Sequence, residues 1–337
     1  MDFNNNNKRN ELILAIDIGG TSYKGALVNK NGEIIYRYKI KAADYGSNEK
    51  FLLTIFNLIS KLSKKTKLNN QKIIAMSFSI PGAIDTDNGI IQYSNNLKLE
   101  SLNFKKELIK KYNNLPIFML NDANAATLGE ARKGIAKNYA NVVFLTLGTG
   151  IGGGIIINHK LYAGSQFMGA ELGHMSIDIN GKLCTCGRRG CFEAYASAKA
   201  LVNYTKEGLN KYKDSKMWDE INNDINNVNG SVSFEALKKH PNDLGAKEVV
   251  TKYIRYLSEG ILNYCNIFRP DIILIGGGVS EQGDYLVKLI NDNCKDYNYG
   301  FKSTPIPIIK TATLKNDAGI IGAAYFALEN LKQNRPF

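Results

Sequence analysis

An order of elements that occurs twice narrows the fold more than any other feature of this chain. An apolar strand (Leu12–Ile18) runs into a glycine turn, Asp17-Ile18-Gly19-Gly20-Thr21. A second strand (Lys24–Asn29), a tight Asn31-Gly32 turn and a third strand (Glu33–Lys41) follow. Asn-Gly between alternating apolar runs is a strong hairpin signal, because both residue types tolerate positive φ. Next come helical spacing over Phe51–Leu62, a buried strand at Lys72–Ile80 ended by Pro81-Gly82, a helix over Leu102–Tyr112 and a strand at Ile117–Leu120. Asn121-Asp122 then carries residue types that suit a helix N-terminus. The order restarts with a strand at Asn141–Leu147, a glycine turn over 148–154 and a returning strand at Ile155–Asn158. A long helix (Ala246–Phe268), a buried strand (Asp271–Ile275), a helix near Tyr285–Asp296, a strand (Ile306–Lys310) and a last helix (Ala318–Leu331) complete the second half. Alternating helices and strands, twice opened by a hairpin, predict an α/β chain of two lobes with a cleft between them. Residues 161–244 interrupt the second half; they carry a cysteine cluster and a polar stretch, 211–230, that reads as a surface excursion.

The 337 residues suit two lobes of roughly 150 residues each. A composition of 44% hydrophobic and 22% charged residues excludes a disordered tail or a fibre. No apolar run approaches the ~18 residues of a membrane span. The start, MDFNNNNKRN, reads as a frayed polar end and not as a signal peptide. The net charge of +12 raises the question of nucleic acid. Its lysines, however, are spread along the whole chain among Asn and Ile, which describes solvated surfaces better than a basic stripe. Five cysteines without an export signal point to a reduced cytoplasm.

The glycine turns point to phosphate. Gly19 and Gly20 remove the Cβ atoms that would keep a phosphate from backbone N–H groups, Thr21 adds a hydroxyl, and Asp17 can hold Mg2+ through water. An ordinary hairpin turn needs no more than such glycines. The second turn, Gly148-Thr149-Gly150-Ile151-Gly152-Gly153-Gly154, holds five glycines in seven residues, which weakens a strand pair unless something approaches its backbone closely. A third run, Gly276-Gly277-Gly278, follows a buried strand and offers a place for an adenosine. Gly148-x-Gly150-x-x-Gly153 matches a dinucleotide motif by letter, but its hairpin context rejects that reading. Together the three turns predict a nucleoside triphosphate held between the lobes.

His174 precedes Cys184-x-Cys186 and Cys191. One nitrogen and three sulfurs make a closed tetrahedral zinc site with no position left for water, hence a structural Zn2+. Gly181, Gly187 and Gly190 let the loop wrap the ion. Cys265 and Cys294 lie in helices and read as plain core residues.

Gly169-Ala170-Glu171-Leu172-Gly173-His174, followed by Cys184-Thr-Cys186-Gly187-Arg188-Arg189-Gly190-Cys191-Phe192-Glu193, resembles the signature of the ROK family (repressor, open reading frame, kinase). The Asp17–Thr21 turn, Asn121-Asp122-Ala123-Asn124 and the Gly148–Gly154 turn fall in that family's order, from Leu12 to about Glu329. The resemblance implies a two-lobed actin/hexokinase-like (ribonuclease H-like) duplicated fold with a zinc-binding insertion. The small lobe would take residues 11–121 and the C-terminal helix at about 316–337. The large lobe would take 122–315. It also implies an ATP-dependent kinase with Asp122 as catalytic base and Asn121 beside it on the sugar. Glu171, His174 and Glu193 match positions that hold sugar hydroxyls, with Gly82 and Asn96 as further sugar contacts. His174 would turn one ring nitrogen to zinc and the other to the sugar. ATP would meet Asp17, Gly19, Gly20, Thr21, Lys24, Gly148, Thr149, Gly150, Gly276 and Gly277.

One departure stands out. Family members often place a lysine directly after the threonine of the first turn; here Ser22 stands there and the nearest base is Lys24. The family's repressors carry an N-terminal winged-helix domain, for which the ten residues before the first strand are too few. The stretches Cys186–Ser197, Ser215–Trp218 and Glu281–Tyr285 are similar to the family's bacterial glucokinases. That likeness implies phosphorylation of glucose at its 6-hydroxyl, in a homodimer as is common in the family. N-acetylmannosamine, N-acetylglucosamine, allose, fructose or a β-glucoside as acceptor, or a sugar sensor without turnover, are the alternatives.

Overall fold

A computed structural model describes residues 10–42, 47–300 and 303–333. The frayed end expected at the N-terminus therefore lies outside the described residues up to position 9. Strands β1 (Glu11–Ile18), β2 (Ser22–Asn29) and β3 (Ile34–Lys41) form an antiparallel meander. Asn29 closes its hairpin by accepting the Asn31 and Glu33 N–H groups on Oδ1, and Gly32 takes a φ of 73°. Helix α1 (Asn48–Leu68) starts where the Ser47 hydroxyl accepts the Lys50 N–H. Strand β4 (Lys72–Ile80) then runs parallel to β1. A small sheet of β5 (Ala83–Asp85), β6 (Ile90–Ser94) and β7 (Leu99–Leu102) follows, which periodicity did not reveal. Because Leu102 ends β7, helix α2 spans only Phe104–Ile109, shorter than expected. Strand β8 (Ile117–Asn121) joins parallel to β4 and passes straight into α3 (Asp122–Arg132). Asn121 is the cap: its Oδ1 accepts the Ala123 and Asn124 N–H groups.

The second half repeats the pattern with β9 (Val142–Leu147), β10 (Ile151–Ile157) and β11 (Lys160–Tyr162). The excursion contributes α4 (Glu193–Ala196), α5 (Ala198–Lys211) and α6 (Val232–Lys239). Its polar stretch is anchored by Met217 and Ile221, both buried. Then come α7 (Leu244–Phe268), β12 (Ile272–Gly276), α8 (Asp284–Cys294), β13 (Ile308–Thr311) and α9 (Ala318–Gln333). The two large sheets have the orders β3-β2-β1-β4-β8 and β11-β10-β9-β12-β13. In each, a meander is extended by two parallel strands, which is the duplication. No described helix is long and apolar enough to cross a membrane.

Contacts divide the chain into two compact units. The first holds the described residues of Met1–Asn138, Ile155–Ala170 and Thr313–Phe337, and the second holds Tyr139–Gly154 and Glu171–Ala312. In the first unit β1 is buried on both faces, which explains its unbroken apolar run. Leu12, Leu14 and Ile16 share a core with Ile55, Leu58 and Leu62 of α1. Ile13 and Ala15 instead join Ala26, Ala75 and the α9 residues Ile320, Ala323 and Ala327. Those small residues let α9 lie close to the sheet.

Helix α9 also meets α3 backbone to backbone. A Cβ on Gly322 would stand 1.6 Å from the Ala125 carbonyl oxygen, and one on Gly129 would stand 2.4 Å from the Ala318 carbonyl. Gly322→Ala should therefore force the helices apart and lower stability by about 1–3 kcal/mol or more. Calorimetry checks this; an unchanged midpoint would mean that the helices separate freely. The buried Glu130 ties the same region together. Its carboxylate accepts the N–H groups of Ile135, Thr313 and Leu314 and the Thr313 hydroxyl.

In the second unit α7 is the central helix, burying Tyr253, Leu257, Ile261 and Tyr264. The phenols still find partners: Tyr264 donates to the Leu172 carbonyl at 2.6 Å and Tyr253 to that of Ala196 at 2.9 Å. Cys265 and Cys294 are buried in helices, and burial pushes their thiols up to about 11 and about 12.

Candidate functional site

In the first unit the candidate residues share one edge of a sheet. Strands β1, β4 and β8 are parallel neighbours; Asp17 lies opposite Ser79, and Ile80 opposite Asn121. The Asp17–Thr21 turn, Pro81-Gly82 and Asn121-Asp122 thus all leave from the carboxyl ends of adjacent parallel strands, where open α/β sheets bind ligands. Asn96, in the β6–β7 turn, is the first turn's neighbour: a Cβ on Gly20 would stand 4.0 Å from its Cβ. The Asn121 Nδ2 donates to the Gly82 carbonyl at 3.1 Å. Gly82 itself has a φ of 115°, and a Cβ there would meet the Tyr93 carbonyl at 2.2 Å, so packing alone demands this glycine. Asp122 is half-buried, and its Oδ1 accepts the Ala123 N–H at 2.9 Å.

Asp17 accepts the Ser79 hydroxyl on Oδ1 at 2.8 Å, while its Oδ2 lies 3.5 Å from the Lys24 ammonium. The β1–β2 register sets Lys24 directly across from Asp17, and its Nζ also reaches the Asn316 Oδ1 at 3.4 Å. Ser22 and Lys24, two apart on β2, share a face. Lys24, the base nearest to the departure at Ser22, is thus turned toward the acid of the first turn. One carboxylate at a strand end fits Mg2+, which typically takes one or two carboxylates and completes its shell with phosphates and water.

The second unit has its own strand-end edge. Gly276 of β12 lies opposite Thr146 of the parallel β9, so Leu147-Gly148 and Gly276-Gly277 leave on the same side. The glycines there have different physical reasons. A Cβ on Gly150 would stand 2.2 Å from Glu193 Oε2, one on Gly153 2.6 Å from Leu172, and one on Gly276 2.7 Å from the Phe144 ring. Gly277 combines a φ of 82° with a 2.4 Å approach to the Leu147 carbonyl. Protein neighbours explain these glycines without a ligand. Gly148 and Gly20 would meet nothing nearer than 4.0 Å, and Gly278 nothing within 4 Å, so no protein neighbour fills their missing side-chain space. The turn is also shorter than expected, because Ile151–Gly154 already belong to β10. It reduces to Gly148, the exposed Thr149 and Gly150, closed by a Gly148 N–H to Gly150 carbonyl bond of 3.0 Å.

The cysteine loop gathers its donors. The ligand atoms of His174, Cys184, Cys186 and Cys191 lie within 4.8 Å of one another. His174 Nδ1 and Cys184 Sγ are 3.6 Å apart, as are the sulfurs of Cys186 and Cys191. Zn–S bonds of about 2.3 Å would hold tetrahedral sulfurs about 3.8 Å apart, so the cluster fits Zn2+. Its chemistry fits as well. Burial and the neighbouring sulfurs push the Cys191 thiol up to about 12, while the Arg188 N–H lowers that of Cys186. Three crowded thiolates need a cation. Gly190, with a φ of 77°, passes where a Cβ would meet the Asp178 carbonyl at 1.5 Å, which lets the loop fold over.

His174 presents Nδ1 to the sulfurs and so keeps Nε2 for another partner. Glu171 reaches solvent, yet the protein around its carboxyl strips enough water to hold it above the usual carboxylate range. His174 opposes that shift and Glu193 adds to it. Glu193, at the start of α4, is already engaged: Oε2 accepts the Ile151 N–H at 2.9 Å and Oε1 the Thr185 hydroxyl at 3.1 Å.

The pattern that defines the ROK family matches residues 13–330. The chain belongs to the ROK family. A glucokinase of Thermotoga maritima is 31% identical to this ROK chain over 320 residues, covering 95% of the chain and 98% of that protein. The ROK glucokinase of Streptomyces griseus, solved in complex with glucose and AMPPNP, has a TM-score of 0.80 at 29% identity, over 94% of this chain and 99% of that one. A xylose repressor of Bacillus subtilis is 32% identical over 280 residues, 82% of this chain and 66% of the repressor. The mixed α/β ROK fold is thus shared with relatives named as enzymes and as a repressor. Ser79 and Thr185 had no signal of their own in the sequence, because a lone hydroxyl residue becomes notable only when folding sets it against a carboxylate.

Proposed function

We propose that this ROK chain is an ATP-dependent sugar kinase that phosphorylates glucose at its 6-hydroxyl. The observation that carries the reading is the common strand-end edge of Asp17, Gly82, Asn121 and Asp122 in the first unit. The ROK glucokinase of similar fold that binds glucose and AMPPNP supports it. In this reading Asp122 accepts the proton of the sugar hydroxyl as its oxygen bonds to the γ-phosphorus in line with the leaving ADP oxygen. Asn121, oriented by the Gly82 carbonyl, holds the sugar beside that carboxylate. Glu171, Glu193 and the Nε2 of His174 take further hydroxyls, and Asn96 adds a contact from the β6–β7 turn. The open faces at Gly20 and Gly278 and the Gly148–Gly150 turn, through its exposed Thr149, receive phosphate oxygens, and Lys24 adds positive charge beside Asp17. Mg2+, when bound with ATP, neutralises charge on the transferring phosphate. Zn2+ on His174, Cys184, Cys186 and Cys191 shapes the sugar-holding loop and takes no part in the transfer.

A coupled ADP-release assay of zinc-replete protein with Mg-ATP, run across hexoses and N-acetylhexosamines, tests this. Glucose should give the highest kcat/KM. Preference for another sugar keeps the chemistry and corrects the acceptor. The repressor relative favours a second reading, a sugar-binding regulator; sugar binding without ADP release from any acceptor would establish it.

A further inference from the structure

The Glu193 carboxylate joins two segments that are distant in sequence. One oxygen holds the Ile151 N–H, where β10 leaves the Gly148–Gly150 turn. The other accepts the hydroxyl of Thr185, which stands between Cys184 and Cys186 of the zinc-compatible cluster. The joint is tight on the turn side: the carboxylate oxygen fills the space that any side chain at position 150 would need. Helix α4 and the start of α5 brace both partners as well. The Ala198 N–H, just beyond α4, donates to the Gly148 carbonyl at 2.9 Å. The Tyr195 hydroxyl of α4 accepts the Lys182 N–H of the cysteine loop at 2.7 Å.

We infer that Thr185 and Glu193 are positioning residues, through which the metal-bound loop holds the Gly148–Gly150 turn in its nucleotide-receiving shape. The inference rests on the proposal that this turn takes ATP phosphate. Each carboxylate oxygen has two lone pairs, so Glu193 can serve a sugar hydroxyl and still keep both contacts. Zinc then governs nucleotide binding as well as the sugar loop. Losing the Thr185 hydroxyl removes one of the two bonds that hold the Glu193 carboxylate, and the turn loosens although no nucleotide contact has been removed.

The experiment is a calorimetric titration of zinc-replete protein with Mg-AMPPNP for the parent chain, Thr185→Val and Thr185→Ser. Zinc content and amide exchange at residues 148–152 are measured on the same samples. Thr185→Val should bind AMPPNP on the order of fivefold more weakly, the loss of one exposed hydrogen bond to a carboxylate. Its amides at 148–152 should exchange faster, with zinc fully retained. Thr185→Ser should restore both readouts. Unchanged affinity and exchange in Thr185→Val overturn the positioning role, and so does loss of zinc, which would assign Thr185 to the metal alone. A parent chain that binds no AMPPNP would instead overturn the nucleotide reading on which the inference rests.

Discussion

Asp122→Asn should lower kcat by roughly 10²–10⁴-fold, the usual contribution of a positioned general base, while glucose affinity stays close to that of the parent. The substitution leaves the helix cap in place. Helix α3 is capped by Asn121, whose Oδ1 holds the Ala123 and Asn124 N–H groups, so its start does not depend on residue 122. An Asn at 122 also retains an oxygen for the Ala123 N–H now held by Asp122 Oδ1. The exchanged charge sits in the first turn of the helix, where its loss costs about 0.3–1 kcal/mol through the helix dipole. A large fall in turnover with a small fall in stability is therefore the signature of the base. Kinetics paired with calorimetric glucose binding reads both. Near-normal turnover in the variant would show that another group takes the proton.

Cys191→Ala should abolish zinc binding and destabilise the second unit by several kcal/mol. Cys191 is fully buried, and its sulfur faces that of Cys186 across 3.6 Å. Burial and the adjacent sulfurs push its thiol up to about 12, and a bound cation is what would offset that cost by stabilising the thiolate. The metal is what makes this crowded arrangement favourable, and where a metal site exists only in the folded chain, its binding energy is folding energy. His174, Thr185 and Glu193 lie on or against the same loop, so glucose binding should weaken together with stability. Metal analysis and scanning calorimetry of the variant test this, beside parent protein that has been chelated and then reloaded with Zn2+. A zinc-free Cys191→Ala protein with the parent's midpoint and glucose affinity would show that the cluster needs no metal.

Much of this was legible in the residues. The strand at Lys72–Ile80, the Asn31-Gly32 hairpin, the helix start at Asn121-Asp122 and the Cys184–Cys191 cluster each follow from short-range physics. A short buried run ended by Pro-Gly, a positive φ, a side chain that caps its own helix and ligands a few residues apart need no knowledge of the rest of the chain. The paired order of elements likewise foretold the duplicated sheets.

Other features depend on which distant segments meet. Gly150 and Gly153 look like phosphate-turn glycines in the sequence, yet Glu193 and Leu172 occupy their missing side-chain space. The buried Glu130 carries no local mark; it is satisfied by the backbone of Thr313 and Leu314, far along the chain. Lys24 could have faced solvent until the β1–β2 register set it opposite Asp17. A sequence states which groups prefer to be buried, turned or charged, and it states this residue by residue. Which buried group faces which donor, and which glycine leaves room for a ligand and not for a neighbour, is set by packing between elements, an energy that exists only once they touch.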